Sequence, residues 1–193
     1  WALIIGVAGL ALSVIGFFTD AKQFYHSYLV AFLFWVTLGL GGLFFTMLNH
    51  VSNARWNIVF RRINETVMYA LPVLAIFFIP VIFGIHDLYH WSHAEEVAHD
   101  PILQDKAPYL NSTFFIIRAV FYFAVWFLLG RVLYRNSLRQ DENPGEGLVK
   151  RMHNISAPGL LLFAITITFA AFDWLMSLDP RWYSTIFGLY FFS

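Results

Sequence analysis

Five stretches of the chain, residues 1–18, 28–48, 67–85, 113–133 and 157–176, are apolar for about 18 residues or more, and this leaves few folds open. A helix of that length, rising ~1.5 Å per residue, covers a hydrocarbon core of ~30 Å. Backbone amides find no water in lipid, so such stretches must pair their own N–H and C=O groups as helices. The expected fold is therefore all-α: a single transmembrane domain over 1–193, a polytopic integral membrane helix bundle with five full spans and the start of a sixth. That sixth run, 182–193, stops at twelve residues, and the chain opens inside an apolar run without a methionine. It reads as an internal piece of a longer multi-pass protein. Only 12% of the residues are charged, against roughly 25% in a soluble domain.

The sequence contains no cysteine. That excludes a disulfide frame, a thiolate zinc site, a cysteine-held iron–sulfur cluster and covalently attached haem c. No span carries a histidine in its middle, so the paired axial ligands of a membrane haem b are also missing. Any electrons must be carried by other subunits. No phosphate-binding loop and no nucleophile–histidine–acid set stands out, so no catalytic residue is assigned, and nucleic acid is not an expected partner.

The cations are distributed unevenly. Arg55, Arg61, Arg62, Arg131, Arg135, Arg139, Lys150 and Arg151 fall around the loops after the second and fourth spans, whereas the alternate loops hold Lys22, Lys106 and Arg181. The positive-inside rule makes the first set cytoplasmic and the loop after the third span external. The inner stretch NHVSNARWNIVFRRINE mixes arginines with Trp56, Ile58, Val59 and Phe60, a pattern suited to a short interfacial helix with its cations toward lipid phosphates. Within it Asn64 reads as a helix N-cap and Glu65 as a first-turn carboxylate, with proton uptake at the inner face as the alternative role for Glu65.

Gly6, Gly9, Ser13 and Gly16 in the first span share a helical face that permits close approach of another helix. Pro72 and Pro80 interrupt the third span, and each deprives the carbonyl four residues earlier of its usual donor, so kinks are expected there. The outer loop from His86 to Ser112 holds four histidines and five acids, including Asp87, Glu95 and Glu96. On a helix His86, His90 and His93 would share a face. Without cysteines or a repeated ligand signature no metal site is assigned; a wet, acidic interfacial loop anchored at the headgroups by its tyrosines and tryptophan accounts for the pattern equally well, and docking of an outer partner is the functional reading.

Two charges lie inside apolar runs. Arg118 is about five residues, or ~7 Å, within the outer end of the fourth span, and Asp173 is similarly deep in the fifth. Intramembrane charges usually pair or line a polar cavity, so an Arg118–Asp173 pair is one reading; a snorkelling Arg118 and an interfacial Asp173 is the other. Asp179 before Pro180 reads as the N-cap of the sixth helix, and Trp174 and Trp182 as interface anchors.

Three motifs in order, NHVSNARWNIVFRRINE, HDLYHWSH and FDWLMSLDPRWYSTIFGLYFF, resemble the membrane subunits of alternative complex III, the bacterial quinol:cytochrome c oxidoreductase, within the polysulfide-reductase-like (NrfD-like) membrane proteins. The likeness is greatest to the smaller of that complex's two large membrane subunits. It implies a chain without its own redox centre or covalently bound cofactor, in the bacterial inner (cytoplasmic) membrane. It also implies quinol as the substrate of the complex, and haem c and iron–sulfur clusters on periplasmic partner subunits. It marks Asp173, Asp179 and Arg181 in the outer turn, His86 and Asp87 after the third span, and Arg55, Arg61 and Arg62 on the inner side. Proton movement through buried charges is a further reading that it allows, with Arg118 and Glu65 as added candidates. An ion or solute transporter and a purely structural anchor are the rival functions.

Overall fold

The structure, a computed structural model, describes residues 1–53 and 58–192. Among the described residues the regular elements are eleven α-helices and two 3-10 turns, with no strand. Four stretches are long and apolar enough to cross a membrane: Ala21–Ser52, Phe60–Phe83, Ser112–Glu142 and Glu146–Leu178. The first apolar run forms α1 (Ala2–Thr19). Its side chains are largely exposed, and Phe17 meets Phe24 and Tyr25 at the start of α2. Its glycine face is open, since a Cβ added at Gly6, Gly9 or Gly16 would meet nothing within 4 Å.

Helix α2 (Ala21–Ser52) starts where the Asp20 carboxylate accepts the Gln23 N–H at 3.0 Å, and stops where Asn53 turns left-handed at φ 50°. Helix α3 (Ile58–Met68) then packs tightly along α2. This corrects the reading of 49–65 as a separate interfacial helix: residues 49–52 finish α2 and 58–65 belong to α3. Asn64 and Glu65 accordingly sit well inside α3, not at a helix start. Arg55 and Trp56 lie outside the described residues. The close approach depends on Gly42, where a Cβ would stand 2.7 Å from the Asn64 carbonyl oxygen and 2.9 Å from the Met68 nitrogen. Both neighbours are backbone and cannot swing aside. Gly42→Ala is therefore expected to cost about 1–3 kcal/mol as an overpacked contact. Gly41→Ala, which meets nothing within 4 Å, should be neutral or gain up to ~1 kcal/mol in helix propensity. Thermal melting of the two variants in detergent checks this, and equal melting would refute the close-approach account.

The third span is broken as the prolines predict. After α3 come α4 (Leu71–Phe77), α5 (Ile79–Phe83) and α6 (Ile85–Leu88), with Pro72 and Pro80 each in the first turn of a new helix. At the second break the Val81 N–H turns to the Phe78 carbonyl, and the Phe77 carbonyl accepts the Tyr28 hydroxyl at 2.7 Å instead. A shallow apolar groove of about 290 Å³ lies there, lined by Tyr28, Ala31, Phe32, Trp35, Leu74 and Phe77.

The outer loop folds into a 3-10 turn (His90–Ser92), α7 (Ala94–His99) and α8 (Pro101–Lys106). Helices α9 (Ser112–Glu142) and α10 (Glu146–Trp174) follow, antiparallel neighbours joined by residues 143–145, and a 3-10 turn (Met176–Leu178) and α11 (Phe187–Phe192) end the fold. The sixth helix thus begins at Phe187, and Asp179 is not its N-cap. Asp179 closes a tight turn instead, its carboxylate accepting the Arg181 N–H at 3.1 Å. The core is aromatic. Trp174 packs against Phe78 at 5.0 Å, Phe123 at 5.6 Å and Trp126 at 5.9 Å between ring centres. Trp174 is fully buried, so it is a core residue and not an interface anchor, whereas Trp182 is 48% exposed.

Candidate functional site

Helix register brings the intramembrane charges together. Arg118 lies two turns into α9, and Asp173 is the last residue but one of α10, at the same end because the two helices run antiparallel. Arg118 Nε donates to Asp173 Oδ2 at 2.8 Å and Nη2 to Oδ1 at 2.9 Å, a two-point pair with side chains 10% and 1% exposed. The Tyr122 hydroxyl, one helical turn beyond Arg118, donates to Oδ2 at 2.7 Å. The remaining guanidinium nitrogen, Nη1, donates to the Tyr109 carbonyl at 2.9 Å. The cation also lies 3.9 Å from the centre of the Tyr109 ring and 4.3 Å from that of Phe114. All three guanidinium nitrogens and both carboxylate oxygens are engaged, which is what a charge pair needs to persist away from water.

The end of α10 beneath the pair is closed by hydroxyls. Ser177 donates to the Asp173 carbonyl, and the buried Tyr89 donates to the Trp174 carbonyl at 3.0 Å. Burial pushes the Tyr89 and Tyr109 phenols up, and the negative Asp173 adds to the shift, so both stay protonated.

A second buried carboxylate sits at the opposite end. Glu65 on α3, 1% exposed, accepts Arg61 Nε at 2.9 Å, Arg62 Nη1 at 2.8 Å and the Ser137 hydroxyl of α9 at 2.6 Å. Arg61 also donates to Ser137 Oγ at 2.6 Å and Gln140 Oε1 at 3.3 Å, and Arg62 pairs with Asp141. Arg61 and Arg62, expected to face lipid from the inner stretch, are instead occupied by Glu65, Asp141 and α9. Between the two clusters, the Trp126 indole donates to Thr166 Oγ1 at 3.0 Å, and Asn136 and Ser156 are buried polar side chains nearer the Glu65 end.

The outer surface carries the other candidates. Arg181 Nη2 donates to Asp100 Oδ2 at 3.0 Å, and Lys106 Nζ donates to the Pro180 carbonyl, strapping the turn after α10 to α8. The Arg181 hydrogen bond, with the Ile102 N–H, holds the Asp100 carboxyl below the usual carboxylate range. A cleft of about 620 Å³ opens here, lined by His90, Glu96, His99, Asp100, Asp179 and Arg181 among others. His86 and Asp87 are exposed on α6 and line neither this cleft nor the Arg118 cluster. His86, His90 and His93 do not share one helix, because Tyr89 is extended between α6 and the 3-10 turn, but the His86 and His93 rings still meet at 5.6 Å between centres. Among the described residues no three His, Asp or Glu side chains are grouped to hold a metal ion.

Sequence reasoning passed over Tyr122 and Ser137. Tyr122 carries a readable signal, one turn from Arg118 on the same face; Ser137 lies in a polar run past the span and carries none. No family model matches the chain, and no curated protein matches it.

Proposed function

We propose that the chain is an integral membrane subunit of a bacterial respiratory quinol:cytochrome c oxidoreductase of the alternative complex III type, in the inner membrane. In this reading it has no redox centre of its own. It holds periplasmic subunits bearing haem c and iron–sulfur clusters, and contributes to proton transfer. The observation that carries the proposal is the two-point Arg118–Asp173 pair with Tyr122, since a membrane span keeps a buried ion pair chiefly where charge or protons are handled. The Glu65 cluster at the other end, and the polar side chains of α9 and α10 between, support a role in moving protons. The strapped, acidic outer cleft suits docking of a partner subunit.

The transporter reading rests on the broken third span, where substrate sites of transporters are found. It is weakened by what surrounds the break. The Phe77 carbonyl is already taken by Tyr28, and the groove beside it is apolar. Purification of the tagged protein in mild detergent, with identification of the accompanying chains, separates the readings. The quinol-linked role predicts co-purified haem c and iron–sulfur subunits, and loss of quinol oxidation from membranes when the gene is deleted. Recovery of the chain alone, with solute flux in vesicles, would refute it and favour transport.

A further inference from the structure

With Arg61 and Arg62 occupied by Glu65, three other described cations at the inner end, all on α9, fall into a pattern. Arg131, Arg135 and Arg139 follow one another at four-residue steps along α9, which puts them on one stripe of the helix. Among the described residues, no side-chain hydrogen bond or ion pair engages them, and Arg131 lies 5.6 Å from the centre of the Phe127 ring. Toward the outer end the same stripe continues as exposed apolar side chains: Leu128 at 57%, Phe121 at 54% and Ile117 at 57%. Lipid tails would lie against these.

The depth fits a headgroup. Helix α9 has 31 residues, ~46 Å at ~1.5 Å each, so it outruns a ~30 Å hydrocarbon core. With Ser112 at the outer boundary, the core ends about twenty residues later, at Arg131. Arg135 then stands ~6 Å further out, in the zone of lipid phosphates, and Arg139 at its watery edge. Glu142, exposed and three residues past Arg139, is the nearest carboxylate along the stripe and lies beyond that zone.

We infer that this stripe is a binding site for an anionic phospholipid, its headgroup phosphate held between Arg131 and Arg135 and its acyl chain laid along Leu128, Phe121 and Ile117. The inference rests on the membrane reading of the chain and not on its quinol-linked role. Arginine suits the task, because its planar fork binds two phosphate oxygens at once.

The test titrates the delipidated, detergent-purified protein with dioleoylphosphatidylglycerol and, separately, dioleoylphosphatidylcholine, reading bound lipid by native mass spectrometry. The wild-type chain should retain the anionic lipid preferentially. Arg131→Gln with Arg135→Gln should reduce that preference about fivefold per arginine removed. Arg135→Gln alone, at an exposed position, keeps the test open if the double variant folds poorly. Lys150→Gln with Arg151→Gln, on α10 at the same end, should leave the preference intact. Equal loss in that control, or an unchanged preference in the stripe variants, would overturn the site in favour of a general positive field. Release of the wild-type chain from membranes by alkaline carbonate would instead sink the membrane reading itself.

Discussion

Asp173→Asn is expected to destabilise the protein by about 3–5 kcal/mol, the cost of removing one partner from a buried charge pair. The substitution keeps the shape of the side chain but leaves the Arg118 guanidinium, 10% exposed, without a counter-charge. The Tyr109 carbonyl and the two aromatic faces that remain around Arg118 cannot replace a full negative charge. Arg118→Gln should cost a similar amount by stranding Asp173, whose remaining side-chain donor would be Tyr122. The double change should be milder than the sum of the two, because no orphan charge is left and an amide can face an amide. Thermal melting in detergent and the yield of folded protein in membranes measure the cycle. A second readout separates structure from chemistry. If the proposed quinol-linked role holds and Asp173 also carries protons, the double variant will fold yet lose quinol oxidation or its coupling to proton release, since an amide does not exchange protons at working pH. Small, additive effects with normal turnover would remove Asp173 from the mechanism.

That pair was half legible in the sequence. Apolar run length located the four stretches long enough to cross a membrane but also counted residues 1–18 as a fifth, and the parity of the loops put Arg118 and Asp173 at the same end of the bundle. Their contact, however, depends on how α9 is rotated against α10, which no local pattern encodes. The prolines of the third span were readable because a missing N–H breaks a helix wherever it falls. Other signals pointed the wrong way for identifiable reasons. The Asp179–Pro180 step is a helix-start pattern, but the Lys106 bond to the Pro180 carbonyl and the Asp100–Arg181 pair hold this turn irregular from across the fold. Trp174 stands among polar residues in the sequence and looked interfacial; the structure encloses it between Phe78, Phe123 and Trp126. Glu65 was half legible, since Arg61 and Arg62 lie one turn away on the same helix, but its third partner, Ser137, is 72 positions away.

Glu65→Ala is the second substitution with a large expected effect, and its size follows from exposure. The carboxylate itself is 1% exposed, but Arg61 and Arg62 are 30% and 42% exposed and can turn toward water when it is lost. The penalty should therefore fall below that of Asp173, at about 1.5–3 kcal/mol, the range for hydrogen bonds to a charged group discounted for solvent around the arginines. Part of it comes from α9, because Ser137 donates to Glu65 and accepts from Arg61, so the carboxylate ties α3 to α9 through one hydroxyl. Ser137→Ala should accordingly cost about 1 kcal/mol alone and close to nothing in a Glu65→Ala background. Glu65→Gln separates anchoring from proton handling. As an anchor, the glutamine oxygen still accepts one arginine and the loss of stability is partial, with turnover retained. Under the proposed quinol-linked role, with Glu65 as a proton-uptake group on the inner side, the same variant would assemble and oxidise quinol yet lose proton movement. Unchanged melting of Glu65→Ala, measured beside Asp173→Asn in the same detergent, would show that the inner cluster ties nothing together.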